Sequence, residues 1–490
     1  MSGSVLPGFL FYGLMDWVLC RRPALGWGCY MQLEVIVLAA GQGSRMRSAI
    51  PKVLHRVAGV PLLEHVVRLA KSLSPLRTTI IYGHGGEQVL AALGHLDVDW
   101  VEQRDRLGTG HAVMQAEKGL EDEATLLVLY GDVPLLKQNT VTELLALTGD
   151  GSLALLTVLL DDPTGYGRIV RDPLGAVQRI VEEKDATAEE RNIREGNSGI
   201  LAVKGQRLKG WLKRLTNQNA QGEYYLTDII GLAVEEGVPV KTFTAKDPDE
   251  VLGVNNRQQL AHLERVYQRR QAEILMALGV TLKDPARFDL RGAVEAIGQD
   301  VEIDVGVILE GAVHLGHRVR IGAHCMIRDS LIGDDVEILP YSQIDGARIG
   351  DGARVGPYAR IRPDTELEAF VHVGNFVEIK KSRIGRGSKV NHLSYVGDAT
   401  VGRSVNIGAG TITCNYDGIN KFETIIGDGA FIGSDSQLVA PVRIGAGATI
   451  GAGSTITRDA PADALTLSRS RQVTVEGWQR PQKKHQESGD

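Results

Sequence analysis

The sequence predicts an α/β chain in two parts. An N-terminal domain built on a largely parallel sheet is followed by a C-terminal parallel β-helix, with one long helix between them. Three observations predict this. From Met31 to about residue 255, β-rich apolar runs alternate with amphipathic stretches. Across Asn256–Leu278 the spacing becomes helical. After residue 300 an aliphatic residue recurs every six positions.

The elements follow in chain order. In residues 1–30 the apolar stretch Val5–Cys20 is interrupted by Asp16, lacks a positive residue ahead of it and is followed by Arg21-Arg22. It is too short to span a bilayer comfortably and a poor secretory signal. An upstream start codon is the expectation, with Met31 as the working start; a membrane-associating extension is the alternative. Candidate strands are Leu33–Ala39, Thr78–Tyr82, Thr125–Tyr130 and Leu153–Leu159, with amphipathic stretches at Leu62–Leu73 and Val141–Leu147. Alternation at this spacing argues for parallel strands, whose carboxyl ends are where ligands sit. Leu260, Leu263, Val266, Tyr267, Ile274 and Leu278 mark the helix.

The repeat then runs Ile349, Val355, Ile361, Leu367, Val373, Ile379, and again Ile426, Ile432, Leu438, Ile444, Ile450, Ile456. One hexad per flat face and three faces per coil give eight or nine coils over residues 301–456. The register breaks between Thr413 and Ile425, which predicts a projecting loop. The expected divisions are an extension at 1–30, a first domain at 31–255, the helix at 256–280, the β-helix domain at 281–480 and a polar tail at 481–490.

Composition sets bounds. The 490 residues suffice for two or three domains, and 43% hydrophobic with 23% charged residues is ordinary for a soluble globular protein. A net charge of -6 with dispersed basic residues gives no support for a nucleic-acid partner. Cys20, Cys29, Cys325 and Cys414 form no CxxC pair, which suits a reducing compartment.

The stretch Leu38-Ala-Ala-Gly-Gln-Gly-Ser-Arg-Met46 leaves the first strand. It is no Walker A loop, because no Gly-Lys-Ser/Thr follows, and Met46 replaces the third glycine of a dinucleotide fingerprint. A lone Gly-x-Gly turn is equally compatible with a structural role. Arg45 and Lys52 nearby are cations able to spread the charge of a triphosphate. In Tyr130-Gly-Asp-Val-Pro134, Asp132 is placed to hold a hard cation, or else to cap a turn. In the repeat, Arg362, Lys380, His392, Tyr395, Asn406 and Asn415-Tyr416 are expected to stack into one polar stripe. Arg and Lys there suit a sugar phosphate, and His392 suits proton abstraction from an amine. His314, His317, His324 and His372 compete with it on position alone.

These residues carry a resemblance. Leu38–Met46 with Pro51-Lys-Val-Leu54 is similar to the signature of sugar-nucleotide pyrophosphorylases. Leu107-Gly-Thr-Gly-His-Ala112, Tyr130–Pro134, Thr164-Gly-Tyr-Gly-Arg168 and Gly222-Glu-Tyr-Tyr-Leu-Thr-Asp228 narrow it. With the repeats attached, the chain from Met31 to Arg480 resembles the bifunctional bacterial enzymes that make UDP-N-acetylglucosamine. These join an N-acetylglucosamine-1-phosphate uridyltransferase to a glucosamine-1-phosphate acetyltransferase.

The resemblance implies a Rossmann-like nucleotidyltransferase domain, a linker helix and a left-handed β-helix. It implies UTP and N-acetylglucosamine-1-phosphate as substrates of the first half, with Mg2+ held by Asp132 and Asn255. Leu38, Ala39, Ala40, Gly41 and Gln103 would cradle the uracil and ribose, and Gly108 and Thr109 the base. Arg45 and Lys52 would serve catalysis by neutralising the triphosphate, while Tyr130 and Gly131 join the same site. Gly167, Glu182 and Asn197 would grip the acetylated sugar.

In the second half, His392 of Asn391-His-Leu-Ser-Tyr395 would take a proton as the amine of glucosamine-1-phosphate attacks acetyl-CoA. Arg362, Lys380, Tyr395, Asn406 and Lys421 would bind the sugar phosphate. Ala409, Asn415, Tyr416, Ser434, Ala452 and Arg469 would bind acetyl-CoA, and Glu378 would orient its neighbours. A homotrimer in the cytoplasm is implied, with no stable membrane association. Gln42 and Ser44 depart from the family's frequent Lys and Thr, which predicts at most modestly weaker triphosphate binding. The competing readings are a zinc enzyme using His317 and His324, a scaffold without catalysis, and a pyrophosphorylase for another sugar or base.

Overall fold

The computed structural model describes residues 32–481. The expectations for the extension, for Met31 as the start and for the tail after Pro481 lie outside the described residues. The chain divides into two compact units between Glu273 and Ile274. The helix Arg257–Ala277 crosses that division.

The first unit is organised by a nine-stranded sheet. Leu33–Ala39 lies at its centre, parallel to Arg77–Tyr82 on one side and Thr125–Tyr130 on the other. Asp99–Glu102 extends the parallel run beyond Tyr82. Because side chains alternate along a strand, the central strand feeds two cores. Leu33, Val35 and Val37 pack with Leu63, Val66 and Leu144 from the helices Leu62–Ser72 and Gln138–Ala146. Ile36 and Leu38 pack on the other face with Val113, Trp211 and Ile230 from Thr109–Ala116, Gly205–Leu212 and Ile229–Glu235.

The expectation of a largely parallel sheet needs one amendment. Glu195–Lys204 runs antiparallel between Thr125–Tyr130 and Leu153–Leu159. Its Asn-Ser-Gly segment hides the strand pattern, and the register shifts between Asn197 and Leu201 as a bulge does. A hairpin of Arg168–Arg171 and Val177–Val181 hangs from the same strand.

The second unit is a parallel β-helix. One face is an eleven-stranded sheet and a seventeen-stranded sheet supplies the rest. Coils repeat after 17 or 18 residues: Arg320 sits beside Glu337, and Arg354 beside His372. The inward residues Ile361, Val373, Ile379, Ile432, Leu438 and Ile450 are all fully buried. The step lengthens to 25 between Asn406 and Phe431, where the extra chain leaves as a loop. That loop closes on itself through a Tyr416–Lys421 bridge, with the Asp417 carboxylate accepting the Ile419 and Asn420 N–H groups.

One corner of the coil holds residues in the left-handed backbone region, among them His324, Tyr341, Tyr358, Phe376 and Leu393. The first four rings stack in sequence at 5.2, 5.0 and 5.3 Å. Among the described residues no helix is long and apolar enough to cross a membrane.

Candidate functional site

In the first unit, the loop after Leu33–Ala39 is shaped by Gly43, whose φ of 64° favours glycine. A Cβ there would lie 2.7 Å from that of Lys52, so the loop folds tightly over the lysine. Met46 anchors the loop by burying itself with Val57, Leu62 and Val254. Gly108, at φ 107°, is pressed against the Tyr224 carbonyl where the helix Thr109–Ala116 begins. Around these turns lies a cavity of about 950 Å³ at the carboxyl ends of the parallel strands. Leu38, Ala39, Ala40, Gly41, Arg45, Lys52, Gln103, Gly108, Thr109, Tyr130, Asp132 and Asn255 all line it.

At its centre the Lys52 ammonium donates to Asp132 Oδ2 at 2.5 Å and Asn255 Oδ1 at 3.3 Å. Both side chains of the ion pair are 13% exposed. Two oxygens that converge on one cation suit a hard divalent ion, which takes the remainder of its shell from water and phosphate. Gln103 is buried and donates to the Gly108 carbonyl at 3.1 Å. Arg45 stands exposed on the loop.

Gly131, Gly167, Glu182 and Asn197 do not line the cavity. Gly131 N–H bonds the Leu38 carbonyl. The other three form a neighbouring group. Asn197 N–H bonds the Gly167 carbonyl at 2.8 Å, and a Cβ on Gly167 would lie 3.4 Å from Glu182 Oε1. Burial raises the Glu182 carboxyl above its ordinary value, aided by Asp228, Asp185 and Glu223 and opposed by the Thr227 hydroxyl. Burial, then the Glu182 and Asp132 carboxylates, push the Tyr130 phenol well up, so it stays a neutral donor. Arg104 and Arg106 also line the cavity. The signal for them was a basic pair directly ahead of the Leu107 motif.

In the second unit the expected single stripe is not found. Residues stack when they are 17 or 18 apart, whereas a hexad's spacing sends them to another face. Arg362 and Lys380 follow this rule on the seventeen-stranded sheet, where Ile361 pairs with Ile379. Glu378 pairs there with Tyr395 and accepts from Arg362 at 2.8 Å. Asn415 donates to Asp398 at 2.5 Å, and Lys380 lies 4.0 Å from the same carboxylate. Lys380 pushes the fully exposed Lys421 ammonium below its ordinary value, as a crowded like charge does. Asp398 is thus a hub that sequence reading missed.

His392 and Asn406 lie instead on the eleven-stranded sheet. His392 begins a column that continues on successive coils. Its carbonyl accepts from Gly410, that of Ala409 from Asp435, and that of Ser434 from Gly453. Arg469 then donates to the Ala452 carbonyl at 3.0 Å. Tyr416, on the projecting loop, is exposed. Of the competing histidines, His317 accepts from Gln299 N–H at 3.0 Å, His324 stacks on Tyr341, and His314 pairs with Glu295. Burial lowers the His372 imidazole, with Arg354, Lys389 and His392 adding to the effect. Among the described residues no three His, Cys, Asp or Glu side chains converge as metal ligands.

Comparison with known proteins agrees with both halves. Residues 35–195 match the MobA-like NTP transferase domain. Residues 329–363 and 423–458 match the bacterial transferase hexapeptide family of six repeats. A protein of Methylococcus capsulatus named bifunctional protein GlmU is 64% identical, over 94% of this chain and 99% of its own length. Proteins of that name from Alkalilimnicola ehrlichii and an Azoarcus species are 58% and 57% identical, each over 92% of this chain. They are matched over 96% and 100% of their own lengths. The chain belongs to the GlmU family of bifunctional proteins.

Proposed function

We propose that the chain acetylates glucosamine-1-phosphate with acetyl-CoA, then transfers UMP from UTP to the N-acetylglucosamine-1-phosphate formed. The products are UDP-N-acetylglucosamine and pyrophosphate. The observation that carries this reading is the meeting of Lys52, Asp132 and Asn255 in one cavity, on a chain whose second unit is a hexapeptide β-helix.

For uridylyl transfer, the sugar-1-phosphate oxygen attacks the α-phosphorus in line, forming one P–O bond as the bond to pyrophosphate breaks. Lys52 and Arg45 balance the negative charge, while Gln103, Gly108 and Thr109 hold the nucleoside end. Asp132 and Asn255 are the residues to hold Mg2+. That ion, when bound, supplies further neutralisation of phosphate charge. Glu182, Asn197 and Gly167 orient the acetylated sugar. Here the work is positioning and charge neutralisation, so no covalent enzyme intermediate is needed.

For acetyl transfer, His392 takes the proton of the substrate amine while nitrogen attacks the thioester carbonyl. The C–S bond breaks and the departing thiolate of coenzyme A takes up a proton. Arg362, Lys380, Lys421 and Tyr395 hold the phosphate end, with Asn406 contributing from the other face. Ala409, Ser434, Ala452, Arg469, Asn415 and Tyr416 bind acetyl-CoA. The separation of Arg362 and Lys380 from His392 and Asn406 on two sheets supports a cyclic homotrimer, in which one copy's face meets its neighbour's. The free thiols of Cys325 and Cys414 are in keeping with a cytoplasmic setting.

The test is mass spectrometry of products after incubation with Mg2+, UTP, acetyl-CoA and glucosamine-1-phosphate. UDP-N-acetylglucosamine that disappears when acetyl-CoA is omitted is the expected result. Acetylated sugar phosphate without any nucleotide sugar would refute the role given to the first unit.

A further inference from the structure

We propose that Asn375 is the positioning residue for His392, holding its imidazole in the tautomer that leaves Nε2 free to accept a proton. The proposal rests on the reading of His392 as the base of acetyl transfer. The strands His372–Asn375 and Lys389–His392 pair in parallel, and Asn375 stands directly beside His392. Asn375 Oδ1 is 2.9 Å from His392 Nδ1. An amide oxygen only accepts, so Nδ1 carries the hydrogen and the lone pair lies on Nε2.

The backbone around this contact is fixed from both sides. Leu393 N–H bonds the Asn375 carbonyl at 3.1 Å. The His392 carbonyl accepts from Gly410 N–H at 3.2 Å and from the Ser394 hydroxyl at 2.8 Å. Neither partner can slide, because each belongs to a coil bonded to the next. The chemical character of asparagine matters too. A carboxylate at this place would favour the imidazolium and so a base already occupied by its proton. The neutral amide selects the tautomer without adding charge. The opposite amide orientation would donate to Nδ1, put the hydrogen on Nε2 and abolish the base.

The experiment uses the full chain, selectively labelled with 15N-histidine, with the His392 signal assigned by its loss in His392→Gln. In its neutral form His392 is expected to show the hydrogen on Nδ1. A hydrogen on Nε2 overturns the proposal. In kinetics, Asn375→Ala is expected to lower kcat for acetyl transfer about 100-fold while KM for glucosamine-1-phosphate stays within about twofold. Asn375→Asp keeps the acceptor but favours the imidazolium, so its kcat should stay low near neutral pH and recover toward alkaline pH, where the ring gives up that proton. An unchanged kcat in Asn375→Ala, or a loss that Asn375→Asp does not recover at any pH, sinks the idea. If His392→Gln retains acetyl transfer, the base assignment falls and the proposal with it. An Nε2 hydrogen in an enzyme that needs His392 sinks the proposal alone.

Discussion

In the first unit, Lys52, Asp132 and Asn255 are widely spaced in sequence yet meet within 3.3 Å. In the second, Lys380 and His392 are close in sequence and fall on different sheets. The difference follows from geometry. Parallel strands of an open sheet end side by side, so the loops leaving them converge on one crevice. The faces of a β-helix look away from one another, so a column along one face can be long but cannot enclose a ligand. The crevice of the first unit is lined by residues of a single chain. The site proposed for the second unit therefore needs another surface to complete it, which is what the proposed homotrimer would supply.

The sharpest way to break this comparison is to disable each unit alone. Asp132→Ala should cut uridylyl transfer by about 100-fold or more and leave acetyl transfer intact, while His392→Ala should do the reverse by a similar factor. Separate assays of the two half-reactions check it. Loss of both activities from either folded variant would mean the units do not work independently.

Mixing inactive variants sharpens it further. Lys380→Ala and Asn406→Ala alter opposite faces, so re-assembled mixtures should regain about one active acetyl site in four, the random share of interfaces with both native faces. Mixing Asp132→Ala with a Glu182 variant should restore no uridylyl transfer, because the cavity with Asp132 and the neighbouring group with Glu182 belong to one chain. Activity measured after co-refolding decides between the outcomes.

The smallest effect concerns Glu182. Its carboxyl titrates above the ordinary range in the folded chain, chiefly through burial. The resulting destabilisation is absent below the unfolded value and reaches full size as pH rises through the folded one. Glu182→Gln keeps an acceptor for the Thr227 hydroxyl and removes the charge. Its melting temperature at neutral pH should therefore rise by about 2 °C, and the gain should vanish in acid. Scanning calorimetry across pH measures it.

Both folds were legible because each rests on a period. The alternation of apolar runs located Leu33–Ala39 and Thr125–Tyr130, and the six-residue repeat located the buried aliphatics. The strand Glu195–Lys204 was not legible. Its bulged Gly-Asn-Ser-Gly start imitates a loop, and its direction depends on a connection that no local pattern encodes. In the crevice, motif residues such as Gln103 and Asp132 were readable. Arg104 and Arg106 were missed although they stand directly ahead of the Leu107 motif, since an arginine's reach depends on the turn that carries it. On the β-helix the stripe was misjudged because neighbours are set by the coil length of 17 or 18, not by the hexad. The same arithmetic hid Asp398 and Asn375, whose partners lie one coil away.

The β-pairings of the second unit join each coil only to the coil before and the coil after. Such a stack behaves as a linear array in which loosening starts at the terminal coils and travels inward. His392 belongs to the seventh strand of the eleven in its sheet. The residue proposed as the base of acetyl transfer therefore sits near the middle, where fraying arrives late. Ala452 and Arg469, proposed to bind acetyl-CoA, lie instead at the C-terminal end that loosens early.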